Sequence, residues 1–512
     1  MNRSKWIYAL AAIVVLTAGC DRIKPKTLSV PLDHDQASEM IDIKYWALES
    51  KKSIPAAQVW LLAGGPGDGG FETYEKTMHV LDYRLSSTGL DVFTFDHRGI
   101  GESDKIVDCS DYTTGEDCLE NLDIDARDRL RHISTTAAAN DLRLLIDANR
   151  KENVPVYIYA VSYGTYLAQR FASLHGDAIE GLVLQGIAAA DMDLSLHHSS
   201  FNDVAKKYLD RCALDATCNE KLDGNPWQFL GQLLEKIETT NHCSALRDID
   251  AGESQADLAA DLRNELAELM YGSESRELIP VLLYRINRCN ESDVAIFKKP
   301  DINPDGTCRD EDDTESTDKE PFNPMNWNIV LSELWDHDLW SSQERPTVEQ
   351  INEQFRSDYV SLSPEINRMS SYDTWPKYVD DLDDEYMTFD KPLLMLQGGF
   401  DPATPLDQVS GYSNRFSAAN QHFIVFEEAA HDFVGGTPMS SGGDCGLDLL
   451  VGFLEDPTRQ PATQCLDDVS YNYQGSSNLV KIFFGGDPED PKKLQLFDAW
   501  EDPIQTPDCK KK

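Results

Sequence analysis

Positively charged side chains are scarce in this sequence. Its 512 residues include 46 lysines and arginines against 89 aspartates and glutamates, which gives a formal net charge of −43. A surface with this charge repels the phosphates of nucleic acids and the head groups of anionic lipids. The composition therefore argues against nucleic acid as a partner and against electrostatic docking to a membrane, and it indicates a strongly solvated surface.

Long hydrophobic runs and metal-binding cysteine patterns are also lacking. The most apolar stretch, Trp6 to Ala18, is too short to cross a bilayer as a permanent helix. No two cysteines have C-x-x-C spacing, and no group of cysteines and histidines has the spacing of a zinc site. We therefore expect no structural zinc. The sequence shows no internal repeat.

The first 19 residues have the pattern of an export signal. Arg3 and Lys5 precede the apolar stretch, which ends in Leu16-Thr17-Ala18-Gly19-Cys20. This end resembles the lipobox of bacterial lipoproteins, although an aliphatic residue is commoner at the position of Thr17. We expect cleavage before Cys20, lipidation of Cys20 and anchoring on the periplasmic side of a bacterial membrane. The alternative is an ordinary secretory signal with a coincidental cysteine.

The remaining cysteines suit an oxidising compartment. Without Cys20, the 11 cysteines become an even set of ten. Eight of them form close pairs in the sequence, and Cys243 and Cys509 are left over. The close pairs are Cys109/Cys118, Cys212/Cys218, Cys289/Cys308 and Cys445/Cys465. Spacing alone does not fix the connectivity.

Short apolar segments alternate with helical patterns in the first part of the chain. Thr135 to Asn149 has the periodicity of a helix, with Ser134 as its N-cap. Most residues of these short segments are apolar, and each segment ends in residues that favour a turn. Both features are typical of the buried strands of a parallel sheet. These predicted strands are Gln58–Ala63, Leu90–Phe95, Val156–Val161 and Glu180–Leu184.

The pattern changes between residues 191 and 387, where helical and polar sequence replaces the strand signals. Strand signals return at Pro392–Gln397 and His422–Phe426. We expect an α/β core, built from residues 20–190 and 388–512, that is interrupted by a largely helical lid at 191–387.

An acidic segment in the insertion, Asp301 to Glu320, is predicted to be a surface loop. Asp301, Asn303, Asp305 and Asp312 resemble the start of a calcium-binding loop. Pro304 and Cys308 interrupt that pattern, and no flanking EF-hand helices are evident. We therefore favour a surface loop, with a calcium-binding loop as the alternative.

Ser162 is the candidate nucleophile. It lies in Ala160-Val161-Ser162-Tyr163-Gly164, between a predicted strand and a predicted helix. This is the position of a nucleophile elbow, G-x-S-x-G, in which small residues allow a sharp turn. Ala160 replaces the first glycine. The alternative is a simple capped turn between a strand and a helix.

Three further segments, each following a predicted strand, complete a catalytic set. Gly64-Gly65-Pro66-Gly67 supplies a loop whose Gly65 amide, with the amide of Tyr163, can hold an oxyanion. Asp401 follows the strand at 392–397, and His431 follows the strand at 422–426. The order Ser162, Asp401, His431 is that of an α/β-hydrolase triad. Asp96 and Arg98, in a turn after another strand, are expected to bind loop backbone.

These motifs resemble the proline iminopeptidases and, more closely, the secreted tripeptidyl aminopeptidases of the α/β-hydrolase family. The matching segments are Gly64–Gly67 (GGPG), Asp96–Ser103 (DHRGIGES), Ser162–Ala168 (SYGTYLA) and Asp401–Pro405 (DPATP), together with the Cys445/Cys465 region. The resemblance covers residues 55–190 and 388–470 and barely reaches the insertion. Ala160, and Asp432 after the histidine, depart from the glycines that are usual there.

The resemblance implies an aminopeptidase that acts on peptides without a metal or an organic cofactor. In the iminopeptidases an acidic lid residue binds the α-amine of the substrate, which makes Glu333 a candidate; the alternative is an exposed helix glutamate. An esterase or lipase is the other enzymatic interpretation, because the triad defines acyl chemistry and not the acyl group. A non-catalytic binding lipoprotein is a third. No obligate protein partner is evident.

Overall fold

The structure, a computed structural model, describes residues 22–36, 39–195, 197–247, 254–297, 322–362, 366–382, 385–431, 434–486 and 490–503. The export signal with Cys20, the calcium-like sequence at 301–312, Cys308, Asp432 and Cys509 lie outside the described residues. In the described part of the chain, no helix is long and apolar enough to cross a membrane.

A single sheet of eight strands forms the centre of the described structure. The strands are β1 (Lys24–Pro31), β2 (Met40–Leu48), β3 (Ala57–Leu62), β4 (Leu90–Phe95), β5 (Val156–Val161), β6 (Gly181–Gln185), β7 (Leu393–Gly398) and β8 (Gln421–Phe426). Their spatial order is β1-β2-β4-β3-β5-β6-β7-β8. The pairs β1–β2 and β2–β4 are antiparallel, and every later pair is parallel. The six strands from β3 onwards confirm the predicted ones to within one residue at either end.

Helices cover both faces of the sheet and fill the interval between β6 and β7. They are α1 (Gly70–Arg84), α2 (Gly115–Asn121), α3 (Ile124–Arg129), α4 (Thr135–Asn149), α5 (Tyr163–His175), α6 (His198–Cys212), α7 (Ala216–Lys221), α8 (Pro226–Thr239), α9 (Gln255–Met270), α10 (Ile279–Arg288), α11 (Glu291–Phe297), α12 (Pro324–Glu333), α13 (His337–Ser341), α14 (Val348–Ser357), α15 (Ile366–Ser370), α16 (Leu406–Ser413), α17 (Cys445–Glu455), α18 (Asn478–Phe483) and α19 (Pro491–Leu496). Helix α4 has its predicted limits, and its N-cap Ser134 accepts a hydrogen bond from the Ala137 amide at 3.1 Å.

The insertion between β6 and β7 packs in two different ways. Apolar residues of α12 to α15 join the core that covers one face of the sheet, together with α4 and α5. Apolar residues of α6 to α10 instead form a separate core. The first half of the insertion, α6 to α10, therefore has a core of its own. The second half, α12 to α15, shares the core that covers the sheet.

The last described residues pack onto the insertion, although the sequence groups them with the sheet. Trp500 and Ala499 are buried in the core that α6 to α10 form. The buried Arg285 of α10 donates to the Ala499 carbonyl oxygen at 2.7 Å, and Arg288 pairs with Glu501 at 2.6 Å. Helix α17 packs on the sheet, because its residues Leu449, Leu450 and Phe453 belong to the core on the second face of the sheet.

Four disulfides join described cysteines. Cys109–Cys118, Cys212–Cys218 and Cys445–Cys465 are the expected close pairs. Cys289 pairs with Cys243, 46 residues away, and not with the nearer Cys308. The reason is tertiary: Cys289 ends α10 and Cys243 follows α8, and both helices belong to one core, so the two cysteines meet.

Candidate active site

Ser162 occupies a sharp turn between β5 and α5. Its φ of 57° and ψ of −131° are rare for a residue other than glycine, and such strain recurs at functional sites. The turn depends on Gly164, where a Cβ would lie 2.3 Å from the Leu62 carbonyl oxygen. Helix α5 therefore starts in contact with the end of β3, and the serine lies at the carboxyl edge of the sheet. This is the geometry of a nucleophile elbow.

Asp401 and His431 meet at the same edge. Asp401 follows β7 and His431 follows β8, and the His431 Nδ1 lies 2.8 Å from the Asp401 Oδ2. Both side chains are buried. The Ser162 amide donates to the Gln185 carbonyl oxygen at 3.0 Å, and the next residue, Gly186, lies against the His431 ring. The end of β6 thus contacts both the serine and the histidine.

The Asp401 carboxylate is held by more groups than the sequence suggested. Its Oδ1 accepts from the amides of Ala403 and Thr404, each at 2.9 Å. Its Oδ2 accepts from the Thr404 hydroxyl at 2.7 Å and from the Gln397 side chain at 3.2 Å, in addition to His431. These donors fix the position of the carboxylate. Held in this way, Asp401 orients the imidazole and stabilises it when it is protonated.

Gly186 is a further site residue that sequence reasoning missed. Its φ is +57°, and a Cβ at this position would lie 2.9 Å from the His431 Cε1 and 3.0 Å from its Nδ1. Only the absence of a side chain lets β6 end directly beneath the imidazole. A glycine after a buried strand was the available signal, but it does not identify the partner.

We expect Gly186→Ala to lower kcat/KM by roughly a hundredfold, because a displacement of about 1 Å in a catalytic group has an effect of this order. The added Cβ must displace the imidazole from Asp401, and alanine is strained at this φ. Steady-state kinetics of the purified variant would measure the loss. Gly411→Ala is the matched control, since a Cβ there meets nothing within 4 Å. Wild-type kcat/KM in Gly186→Ala would show that the imidazole is not confined at this point.

The two predicted oxyanion donors lie on adjoining elements. Tyr163 is the first residue of α5, so its amide is among those without an acceptor in its own helix. Gly65, in the loop after β3, has a φ of 101°. Helix α12 and its cap hold this loop, because Asn326 donates to the Pro66 carbonyl oxygen at 2.8 Å and Asn323 to that of Gly67 at 3.2 Å. The insertion thus positions the oxyanion loop, which the sequence did not reveal.

Asp96 and Arg98 bind backbone, as the sequence predicts. The Asp96 carboxylate accepts from the Gly70 and Glu102 amides, each at 2.8 Å. The Arg98 guanidinium is fully buried and forms two hydrogen bonds, of 2.7 and 2.6 Å, with Asp141. It also donates to the carbonyl oxygens of Pro31, Leu32 and His132. Asp96 and Arg98 therefore stabilise the loops next to the sheet by binding their backbone groups.

Glu333 is buried at the end of α12 and is not an exposed helix residue. Its Oε1 accepts from the Thr135 amide at 2.9 Å, at the N-terminus of α4, and from the Tyr378 hydroxyl. Its Oε2 lies 3.6 Å from Arg170 and has no hydrogen-bond partner among the described residues. Burial raises the pKa of Glu333, and the Arg170 guanidinium opposes that rise.

Glu333 is linked to the nucleophile turn through Thr135 and the Tyr163 side chain. The Thr135 hydroxyl lies 2.9 Å from the Tyr163 hydroxyl, and Tyr163 directly follows Ser162. A second carboxylate, Asp68, lies on the oxyanion loop. Loss of solvation and the neighbouring Glu72 raise the pKa of Asp68, and the nearby His431 lowers it.

Among the described residues, no group of three or more histidine, cysteine or acidic side chains is placed to hold a metal ion. The chemistry available to the described residues at this edge of the sheet is that of a serine, an imidazole and a carboxylate beside two backbone amides.

Comparisons with known proteins give a family match over part of the chain and a set of similar structures. Residues 59–211 match the model of a family described as having the alpha/beta hydrolase fold. No curated protein sequence matches the chain.

Similar solved structures include an esterase from Exiguobacterium antarcticum, at 14% identity and a TM-score of 0.31, covering 76% of this chain and 89% of that one. An epoxide hydrolase from Vigna radiata is similar at 11% identity and a TM-score of 0.30, covering 80% and 92%. A carboxyl esterase from Bacillus coagulans is similar at 14% identity and a TM-score of 0.31, covering 79% and 90%. The match over residues 59–211, the sheet order and the turn at Ser162 show that this chain has the α/β-hydrolase fold.

Proposed function

We propose that this protein is a serine hydrolase that forms an acyl-enzyme on Ser162. The observation that carries the proposal is the 2.8 Å bond between His431 and Asp401 at the strand edge where Ser162 occupies its strained turn. The end of β6 contacts both the serine and the histidine, which supports their acting together.

The proposed reaction has two halves. The Ser162 hydroxyl attacks a carbonyl carbon while the His431 imidazole takes its proton, and the resulting oxyanion is held by the Gly65 and Tyr163 amides. The imidazolium, stabilised by Asp401, then gives its proton to the leaving group. Water hydrolyses the acyl-enzyme with His431 as base and restores Ser162. Each oxyanion donor contributes about 3 kcal/mol of barrier reduction in sites of this kind.

Within this chemistry, we propose that the substrate is a peptide with a free α-amine. Two features support an aminopeptidase: the Asp68 carboxylate on the oxyanion loop, and the buried Glu333 carboxylate, whose Oε2 lies 3.6 Å from Arg170 and has no hydrogen-bond partner among the described residues. A cationic amine would pair with either group, and such a charge-assisted bond strengthens where water is excluded. Glu333 is our candidate for the amine-binding residue.

We expect N-acetylation of a short peptide substrate to lower kcat/KM by roughly a hundredfold or more, because it leaves a desolvated carboxylate unpaired. The measurement compares free and acetylated forms of the same aminoacyl, dipeptidyl and tripeptidyl chromogenic amides. Short-chain esters, which have no amine in either form, serve as the control series. Equal rates on free and acetylated peptides, with rapid ester hydrolysis, would favour an esterase instead.

The role of Glu333 is tested on the same panel. Glu333→Gln keeps the size of the side chain and its acceptor for the Thr135 amide but removes the charge. If Glu333 binds the amine, this variant should discriminate less between free and acetylated peptides and hydrolyse esters at the wild-type rate. Asp68→Asn is the matched variant; loss of discrimination there alone would reassign the amine to Asp68.

We also propose that the protein is exported and lipid-anchored at Cys20. The disulfides among the described cysteines support an oxidising compartment. Cys20→Ala should block lipoprotein processing and leave an unprocessed precursor, detected by its greater mass. Mature wild-type protein in the soluble periplasmic fraction with an unmodified Cys20 would contradict the anchor.

A further inference from the structure

We propose that Tyr271, at the end of α9 in the insertion, forms a wall of the subsite that receives the leaving group of the substrate. This inference rests on the proposed serine hydrolase function, and it assigns a specificity-determining residue to that site. The Tyr271 segment is attached to the loop that carries His431, and the Tyr271 ring lies beside the imidazole.

The segment from Tyr271 to Arg276 is bound to the loop that carries His431. The His431 amide donates to the Tyr271 carbonyl oxygen at 3.0 Å, and the Ala430 amide donates to the Ser273 hydroxyl at 3.0 Å. The buried Arg276 donates to the Glu428 carbonyl oxygen. Three backbone groups of the histidine loop are therefore held by one short stretch of the insertion, which places Tyr271 relative to His431.

Arg276 also attaches this segment to the aspartate loop, which is the loop after β7 that contains Asp401. Its guanidinium lies 5.6 Å from the centre of the Phe400 ring, and Phe400 directly precedes Asp401. Arg276 also lies over the rings of Tyr208 and Tyr471, at 5.3 and 4.8 Å. The segment is thus anchored to both triad loops at once.

The Tyr271 ring lies beside the imidazole. The two ring centres are 6.0 Å apart and the planes are inclined at 74°, an edge-to-face arrangement. The fully buried Phe201 of α6 supports the Tyr271 ring at 5.1 Å. His197, next to Phe201, lies 2.9 Å from the Ala403 carbonyl oxygen of the aspartate loop. Tyr271 is half-buried, so part of the residue remains accessible although Phe201 packs against its ring.

The imidazole surroundings indicate what that surface contacts. Asp401 occupies Nδ1, and Gly186 lies against the Nδ1–Cε1 side. In a serine triad the imidazole Nε2 exchanges the proton with the serine and the leaving group, so the leaving group must approach the imidazole closely in the transition state. A rigid aromatic ring next to the imidazole would then contact the leaving group and not the acyl group.

The experiment separates the two halves of the substrate. One series keeps the acyl part and varies the leaving part between small and aromatic amines; the other keeps the leaving amine and varies the acyl part. We expect Tyr271→Ala to reduce the preference for aromatic over small leaving groups by roughly tenfold or more, the scale on which apolar pockets discriminate. The acyl preference and the deacylation rate, measured after the leaving group has departed, should stay at wild-type values.

Two variants serve as comparisons. Tyr271→Phe keeps the ring and should keep the wild-type preference, while Tyr83→Ala removes an exposed tyrosine of α1 and should change neither series. If Tyr271→Ala does not fold, Tyr271→Leu, which keeps bulk without a ring, makes the same comparison. An active wild type whose leaving-group preference is unchanged in Tyr271→Ala or Tyr271→Leu would overturn the inference alone. A wild type that hydrolyses no member of either series would contradict the proposed function and the inference with it.

Discussion

Ser162→Ala should lower turnover by roughly 10⁴-fold or more, because loss of the nucleophile removes the acyl-enzyme route altogether. Folding should be unaffected, since alanine fits the same turn and removes only a hydroxyl. Hydrolysis of the best chromogenic substrate would measure the loss, and circular dichroism and the melting temperature would confirm the fold.

The matched control for this result is Ser410→Ala, which alters an exposed serine of α16 and should leave turnover unchanged. A serine-directed fluorophosphonate should label the wild type at Ser162 and should not label Ser162→Ala. Labelling of another serine, or a Ser162→Ala variant with appreciable turnover, would show that the nucleophile lies elsewhere.

Arg98→Met should reduce the free energy of unfolding by about 3–5 kcal/mol, the usual cost of breaking a buried ion pair from one side. The variant leaves the fully buried Asp141 carboxylate without the guanidinium that now keeps its pKa low. It also leaves the carbonyl oxygens of Pro31, Leu32 and His132 without their donor. Urea unfolding followed by circular dichroism would measure the change.

Arg143→Met is the comparison on the same helix as Asp141. Arg143 pairs with Asp147 and Asp177 at the partly exposed surface of α4, where such pairs contribute about 1 kcal/mol or less. A second variant, Arg98→Met with Asp141→Leu, should recover part of the loss, because no unpaired charge remains buried. Equal losses in Arg98→Met and Arg143→Met would show that burial does not set the contribution of the Arg98 pair.

The sequence by itself determined the parallel strands, helix α4 and the triad positions, because those signals are local. A buried parallel strand is a short apolar run, and the catalytic loops follow such runs directly, so Ser162, Asp401 and His431 were identified from their neighbours in the chain. Strand β1 was missed because its local signals are weak. Most of its side chains are not buried, and it contains two prolines, as suits an edge strand.

The tertiary structure alone decided which distant residues meet. Cys289 joins Cys243, the residues around Trp500 pack on the insertion, and Gly186 lies against the His431 ring, although nothing in the local sequence pairs these residues. The carboxylate of Glu333 also depends on a distant element, since α12 packs against the N-terminus of α4 and buries it. Local sequence patterns indicate whether a residue is buried or lies in a turn. Which residue it contacts depends on how helices and strands that are far apart in the chain pack together.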